Sequence, residues 1–593
     1  MNAHLVILAL IVLAAAAAWR SVKYRRHLPR HRVLRLRLRL HLRRKPGPGF
    51  ASLLDLHWHW GRFAMFRQSR RSRRSASAWR RATRPHEHSV RVARAHWRHS
   101  LAVTLEEHIT ILSLPRKRKS ASLAAMILHY PGPVVSTSTR TDQFDWTAGI
   151  RQHRGHPVHV FNPEGIGGAR VPSTFSWNLV SGCEDPATAI RRADAFAFAV
   201  STEGASDAAF WSGKCSDYLR AMFHAAAIAG RDLRDVAAWS APDSNGAEAQ
   251  AILLDAGTDS ATVWAGTLAE MGGEAQKTVE TVRMVLSRSL ALLTDPALVA
   301  AVVPPPGGGL DIDAFLRERG TLYMIAKQRK ESPLAPLFAT LAGEIHFAAE
   351  QMGSQMPGGR LDPPLLMALD EVTQICPVPL PDWLPDSGGK GIQIIAVAHG
   401  QAQLRMRWGN DGAQVIMDTS SCLVFMPGIR DPVTLKLASD LAGDAAYREH
   451  GQEHASRHPI MTEGMVRQIP LNFGLFIRGE LSPVMGRMVN IRRDWTYRRA
   501  RLARRTAARI TEAPAAATGR RQASVTLPLQ QQSAVAELPA VARLRPVTDA
   551  APVLQPAANG HGNANGHSNG NRHASGNGNG HAGAGPFGPW SPR

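Results

Sequence analysis

The sequence predicts an α/β fold, a parallel sheet interrupted by an all-α insertion. Three observations carry this. Short apolar runs bounded by Gly and Pro, with strand length, stand at 108–114 ("HITILSL"), 132–139 ("GPVVSTST") and 157–163 ("PVHVFNP"). Similar runs return at 320–326 ("GTLYMIA"), 364–371 ("PLLMALDE"), 391–399 ("GIQIIAVAH") and 422–428 ("CLVFMPG"). Between the two groups, from Pro186 to about Leu298, the chain changes to long Ala-rich helical runs such as "DPATAIRRADAFAFAV".

The 593 residues allow two to four domains. The formal net charge is +24, and residues 1–120 account for it: they hold 28 Lys and Arg against four acids, Asp55, Glu87, Glu106 and Glu107. Such a block points to an anionic partner, a lipid surface or a nucleic acid. Cys183, Cys215, Cys376 and Cys422 are too far apart for a metal motif and read as buried thiols in a reducing compartment.

Residues 1–19 carry no Lys, Arg, Asp or Glu, and the apolar stretch Leu5–Trp19 ends on an aromatic residue suited to a membrane interface. Twelve Lys and Arg follow between Arg20 and Lys45 with no acid. That flank resists translocation, so the expectation is a single-pass anchor in the inner membrane rather than a cleaved signal, with the bulk of the chain cytoplasmic. The period-two "LRLRLRL" at 34–40 reads as a basic collar on anionic lipid. Residues 46–90, with "LLDLHWHWGRFAMF" and "RQSRRSRRSASAWRRATR", read as a membrane-proximal stretch with local order at most. Residues 511–593 are Ala/Pro-rich and then Gly/Asn/His-rich, a composition without core-forming residues, and are expected to be disordered.

The chemistry centres on "SLPRKRKSASL" at 113–123. It follows a strand and opens a helix, the context of a phosphate-binding loop. In that reading Pro115, Arg116, Lys117, Arg118, Lys119 and Ser120 form the nucleotide-binding loop. Lys119 reaches the β- and γ-phosphates, and Ser120 ligates Mg²⁺. Ser113 and Arg118 stand where such a loop has glycine, and Arg118 is expected to cost about 1–3 kcal/mol in backbone strain and to crowd the phosphates. The strand "PLLMALDE" ends in Asp370 and Glu371, a metal-binding acid followed by one that polarises the attacking water. One strand later, "AVAHGQAQLRMRWG" places His399 and Gln403 where a γ-phosphate sensor sits.

Together these stretches resemble the TraG/TraD family of type IV secretion coupling proteins, in its actinobacterial branch. The matching segments are "PRKRKSASL", "GPVVSTSTRTD", "VFNPEG", "FSWNLVSGCEDPATAIRRADAFA", "LLMALDEVTQICPVPLPDWLPDSGGKGIQIIAVAHGQAQLRMRWG" and "PGIRDPVTLKLASDLAG", in the family's order across about 100–500. The resemblance implies a RecA-like P-loop NTPase domain in two parts, 89–184 and 301–505, around an all-α insertion at 185–300. A transmembrane anchor (1–22), a basic membrane-proximal segment (23–88) and a tail (506–593) flank it. Lys119 and Ser120 match the family's Lys-Ser/Thr, Asp370 and Glu371 its Walker B acids, and Gln403-Leu404 its Gln-Leu pair, with His399 replacing an upstream Gln. Asp142 matches the Asp closing a Thr-Ser-x-Lys-x-Asp strand end, with Arg140 in place of Lys, and Asn162 replaces the Asp of a Phe-Asp-Pro motif. The family's Gly-Pro-Pro-Arg-x-Gly-Lys-Ser/Thr loop has lost its glycines here.

What the resemblance implies is ATP and Mg²⁺ as cofactors, a homohexameric ring, and passage of single-stranded DNA or a relaxase–DNA complex toward secretion channel components. Glu371 and Gln403 are the implied catalytic residues. Arg405 or Arg407 acts across a subunit interface, and about 365–500 recognises a TraM-like accessory protein. Two other readings stay open: a non-hydrolysing docking receptor with a vestigial loop, and an FtsK-like pump for double-stranded DNA. The anchor reading is tested by deleting residues 1–22, which should move much of the protein from the membrane to the soluble fraction; a full-length protein already soluble contradicts it.

Overall fold

The computed structural model describes residues 47–511 apart from 201–207, 242–243, 245, 271–275, 305–308, 329–332 and 448–455. The proposed anchor, the "LRLRLRL" stretch and the Gly/Asn/His-rich tail lie outside the described residues. Among those described, no helix is long and apolar enough to cross a membrane.

An eleven-stranded sheet organises the chain. Its strands are β1 (Ser89–Arg94), β2 (Ser100–Thr104), β3 (Ile109–Leu112), β4 (Val134–Ser138), β5 (Val158–Phe161), β6 (Thr321–Ile325), β7 (Leu365–Leu369), β8 (Ile392–Ala398) and β9 (Cys422–Phe425). After a separate hairpin, β10 (Asp444–Tyr447) with β11 (Ser456–Pro459), come β12 (Phe473–Arg478) and β13 (Val484–Met488). The order across the sheet is β2-β1-β13-β12-β9-β3-β8-β7-β4-β6-β5. From β9 to β5 the pairing is parallel, as the continuous apolar runs predict; both faces are buried, and β7 and β8 are buried at every position.

The remaining strands correct the parallel expectation. β12, β13, β1 and β2 pair antiparallel and extend the sheet beyond β9. β1 reads "SVRVAR" and alternates only partly, which is why its apolar content did not stand out as a strand.

The stretch 47–88 is a second correction. It is packed, not merely locally ordered. Leu56 and Trp60, four residues apart in a π-helical turn, are fully buried, and Trp60 meets Phe476 of β12 edge to face. The Arg478 guanidinium lies over the Trp60 ring, donates to His59 O, and holds Glu107 through Nε (2.6 Å) and Nη2 (2.9 Å). Within the basic run, Arg73 is 2% exposed. It donates to Glu87 O (2.7 Å) and pairs with Glu87 and Asp362, so one of the run's charges is structural.

Between β5 and β6 lie the helices Pro186–Ala199, Ala208–Ile228, Leu233–Trp239, Ala247–Ala256, Asp259–Glu270, Gln276–Leu290 and Pro296–Val302, the predicted helical insertion. Asp185 caps the first through the N–H groups of Ala187 and Thr188, with Pro186 in the first turn. Arg191 and Arg192 tie this helix to Glu344 of the helix Ala335–Ser354 (2.6 and 3.0 Å).

Two buried histidines make stability depend on pH. His108 Nδ1 accepts the Ile394 N–H (3.1 Å), and burial pushes its pKa down to about 4. His346 stacks on Trp383 and bonds Ser387 (2.8 Å); burial, with Lys390 adding to it, pushes its pKa down to about 3. Both folded values lie below the unfolded one. Their stabilisation is therefore complete above pH 6.5 and is lost as pH falls toward the folded pKa. Between pH 7 and pH 5 each should cost about 1–2 kcal/mol. Unfolding midpoints should drop over that range, and His108→Gln, which retains an acceptor for Ile394, should flatten the slope; an unchanged slope contradicts this origin.

Candidate functional site

The parallel strands β3, β8 and β7 end at one edge of the sheet, where open α/β sheets bind ligands. β3 lies between β8 and β9, and β8 separates it from β7. The Ser113 N–H continues the ladder to Ala398 O (2.9 Å), and Met426 N–H reaches Leu112 O (2.9 Å). The loop then turns into the helix Lys119–Leu128, whose "ASLAAMIL" buries every residue from Ala121 to Leu128 against the sheet. The small Ala121, Ser122, Ala124 and Ala125 let it sit close to the strands.

Lys119 and Ser120 meet Asp370 and Glu371 across 250 residues of sequence. Lys119, 8% exposed, bonds Glu371 and lies 3.3 Å from Asp370 Oδ1. Ser120 Oγ donates to Asp370 Oδ2 (2.9 Å). Asp370 and Glu371 are 3% and 5% exposed, so two adjacent carboxylates are held out of water beside one ammonium.

Further residues, not singled out by sequence, fix this pair. Gln143 Nε2 donates to Asp370 Oδ2 (3.2 Å) and is itself aimed by Ser136 Oγ (2.7 Å). Thr137 Oγ1 donates to Asp370 O (2.9 Å). The only signal for them was position, at and just after the end of β4. His399 bridges the two halves: Nδ1 is 3.0 Å from Ser113 O, and Nε2 is 3.1 Å from Glu371 Oε2. Gln403 sits one helical turn further on, and its Oε1 accepts the His399 N–H (3.0 Å), so His399 rather than Gln403 faces Glu371.

The loop's glycine substitutions separate. Ser113 has no positive φ, is fully buried and keeps its sheet hydrogen bond, so no glycine is required there. Arg116 (φ 61°) and Arg118 (φ 71°) are left-handed, at about 1–2 kcal/mol each. The Arg118 side chain reaches outward. It is exposed and donates to Asn472 Oδ1 (2.8 Å), just before β12. Lys117 passes over Gly428, where a Cβ would lie 2.9 Å from Lys117 Cε. Pro115 is exposed.

The other expected positions are structural. Asn162 closes its own turn, donating to Ile166 O (2.9 Å) and Val171 O (2.8 Å). Asp142 lies in the first turn of the helix Asp142–His153, and Arg140 N–H donates to Ser138 Oγ (3.2 Å). Arg407 donates to Phe198 O and Val200 O, and burial lowers its pKa to about 10.

The residues fit a magnesium nucleotide. Asp370 Oδ1 and Glu371 Oε2 are buried and, apart from the close approach of Lys119 Nζ (3.3 Å) and His399 Nε2 (3.1 Å), accept no hydrogen bond from the described residues. Among those residues no group of three or more His, Cys, Asp or Glu forms a metal cage. One carboxylate and one hydroxyl, completed by phosphate oxygens and water, is the donor set Mg²⁺ takes.

A strand, a loop ending in Lys-Ser, a buried helix, and paired acids two strands away define a P-loop NTPase fold. Residues 364–470 match the family model described as the TraM recognition site of TraD and TraG. Through this region the chain is similar to TraD and TraG. A solved bacterial conjugative coupling protein, TrwBdeltaN70 in an unbound monoclinic form, is 16% identical, with 74% of this chain and 94% of that one covered and a TM-score of 0.50; the likeness is one of fold. The plasmid coupling protein TrwB in complex with ADP and Mg²⁺ is 17% identical over 65% of this chain and 85% of its own, at a TM-score of 0.49. No curated protein matches the sequence.

The split between the two loop positions is testable by unfolding. Arg118→Gly should stabilise the protein by about 1 kcal/mol by relieving the left-handed arginine, whereas Ser113→Gly should destabilise it by about 0.5–1 kcal/mol by adding only chain entropy. Equal effects would contradict the assignment of strain to Arg118 rather than Ser113.

Proposed function

We propose that this is a membrane-anchored coupling ATPase that passes single-stranded DNA or a relaxase–DNA complex to a secretion channel as a homohexameric ring. The observation that carries the reading is the convergence of Lys119, Ser120, Asp370 and Glu371 at one sheet edge. The domain division read from sequence, 89–184 and 301–505 around 185–300, belongs to the same proposal. The matched region 364–470 supports a TraM-like accessory protein as a partner.

Bound ATP with Mg²⁺ supplies the transferable phosphoryl group and the charge that neutralises it. Lys119, which pairs with both carboxylates, would hold phosphate oxygens of a bound nucleotide. Ser120 Oγ and Asp370 would hold Mg²⁺. Glu371 takes the proton of the attacking water at Oε2, with His399 setting the orientation of its carboxylate. Gln403 acts through His399. Arg407 is committed to its own chain, which leaves Arg405 as the arginine for a neighbouring subunit.

A second reading, a receptor that binds nucleotide without hydrolysing it, is favoured by the two left-handed arginines in the loop. DNA-stimulated hydrolysis by the full-length protein separates the two. Glu371→Gln should lower turnover by about 10²–10⁴-fold while nucleotide still binds, and Lys119→Ala should remove binding as well. Binding without turnover in the wild type, restored by Arg118→Gly, would establish the receptor. No binding in either protein would reject the site.

A further inference from the structure

The chain just after the basic segment presents an apolar face that the described residues leave exposed. Leu53, Leu54, Trp58 and Phe63 are 44%, 70%, 46% and 48% exposed. The Trp58 and Phe63 rings meet edge to face at 5.4 Å, so the face is one continuous surface. It is positioned by burial of Leu56 and Trp60 on the other side of the same turn. Beside it, on the helix Arg62–Ser72, Arg62, Arg67 and Arg70 are exposed. Arg67 and Arg70 fall with Phe63 on one helical face by their four- and three-residue spacing, and Arg62 opens the same helix. Of the carboxylates that share a cleft with Arg67 and Arg70, Glu106 is paired with Arg360 and Glu107 with Arg478. Asp55 accepts from the Ser52 N–H (2.7 Å).

We propose that this face seats on the anionic surface of a lipid bilayer, with Leu54, Trp58 and Phe63 in the interface and the three arginines at the headgroups. The inference rests on the reading of Leu5–Trp19 as an anchor and names the part of the folded chain that lies against the same membrane. Three features select lipid over nucleic acid. Aliphatic Leu53 and Leu54 add apolar area that bases do not need. Tryptophan beside arginine is the composition of a membrane interface. Only 33 residues, twelve of them Lys or Arg between 20 and 45, separate Trp19 from Leu53. The face fixes the sheet's orientation: β12, which carries Arg478 at its end, is tied to the bilayer through the Trp60 turn.

The test uses the full-length protein reconstituted into phosphatidylglycerol–phosphatidylcholine vesicles. All four native cysteines are buried, so Leu54→Cys, Trp58→Cys and Phe63→Cys can each be labelled with an environment-sensitive fluorophore, with the exposed Met284→Cys as the distant control. Labels at 54, 58 and 63 should emit blue-shifted and be quenched by brominated lipid, while position 284 reports water. The shift should shrink in pure phosphatidylcholine and in the triple variant Arg62→Gln, Arg67→Gln, Arg70→Gln. Leu54, the most exposed of the three, guards against a misfolded Trp58 variant. Labels in water on a protein that sediments with vesicles would overturn this seat and leave the anchor standing; a protein that does not sediment would overturn both. A blue shift without vesicles that grows with protein concentration would assign the face to a second copy. One induced by oligonucleotide rather than lipid would assign it to nucleic acid; either result overturns the proposal.

Discussion

Two adjacent buried carboxylates need a cation, and the fold is arranged to supply one from 250 residues away. Asp370 and Glu371 end β7 in a region closed to water, where unpaired charges are costly. Lys119, at the first turn of a helix that follows β3, sits against both. For that contact to form, β8 must lie between β3 and β7 in register, which the pairs Leu112↔Ala398 and Leu369↔Ala396 provide. The long helical insertion between β5 and β6 must also return the chain to the same sheet beside β4 and β5. The site is thus a statement about the whole topology, because every connection from β3 to β8 has to close for one ammonium to meet two acids.

The same geometry explains why the loop survives without its glycines. A glycine is needed only where φ is positive or backbone comes too close for a Cβ. At Ser113 neither holds, since the residue extends a parallel ladder. At Arg118 φ is positive, and the strain is only partly offset by a hydrogen bond to Asn472, itself left-handed at φ 74°. Arg118 and Asn472 join the loop to the antiparallel part of the sheet, so the arginine that strains the loop also ties it to β12.

Much of this was legible in the sequence where burial is two-sided. β3 to β9 are continuous apolar runs, and Lys119, Ser120, Asp370 and Glu371 stand at strand ends in a recognisable spacing. The antiparallel half was not legible, because β1 carries arginines at its outward positions and β12 and β13 lie beyond the motifs. The packed stretch 47–88 was misread for a related reason. Its arginines look solvated as a group, yet Arg73 is buried on Glu87 and Asp362, which lie 14 and 289 residues away. Gln143 and Thr137 support the acids through tertiary contacts that no local pattern encodes, whereas His399 stood at the sensor position the sequence marked. Gln403 was taken as the sensor from its motif, and the structure turns its amide to the backbone of His399.

The central claim is that Asp370 holds a metal between Ser120 and nucleotide phosphate. Calorimetric titration of the full-length protein with a non-hydrolysable ATP analogue, with and without Mg²⁺, tests it most directly when repeated on Asp370→Asn. The account predicts binding that Mg²⁺ strengthens in the wild type and an Asp370→Asn protein in which that strengthening is lost. Binding that ignores Mg²⁺ in both proteins, or a Mg²⁺ effect undiminished in Asp370→Asn, would contradict it.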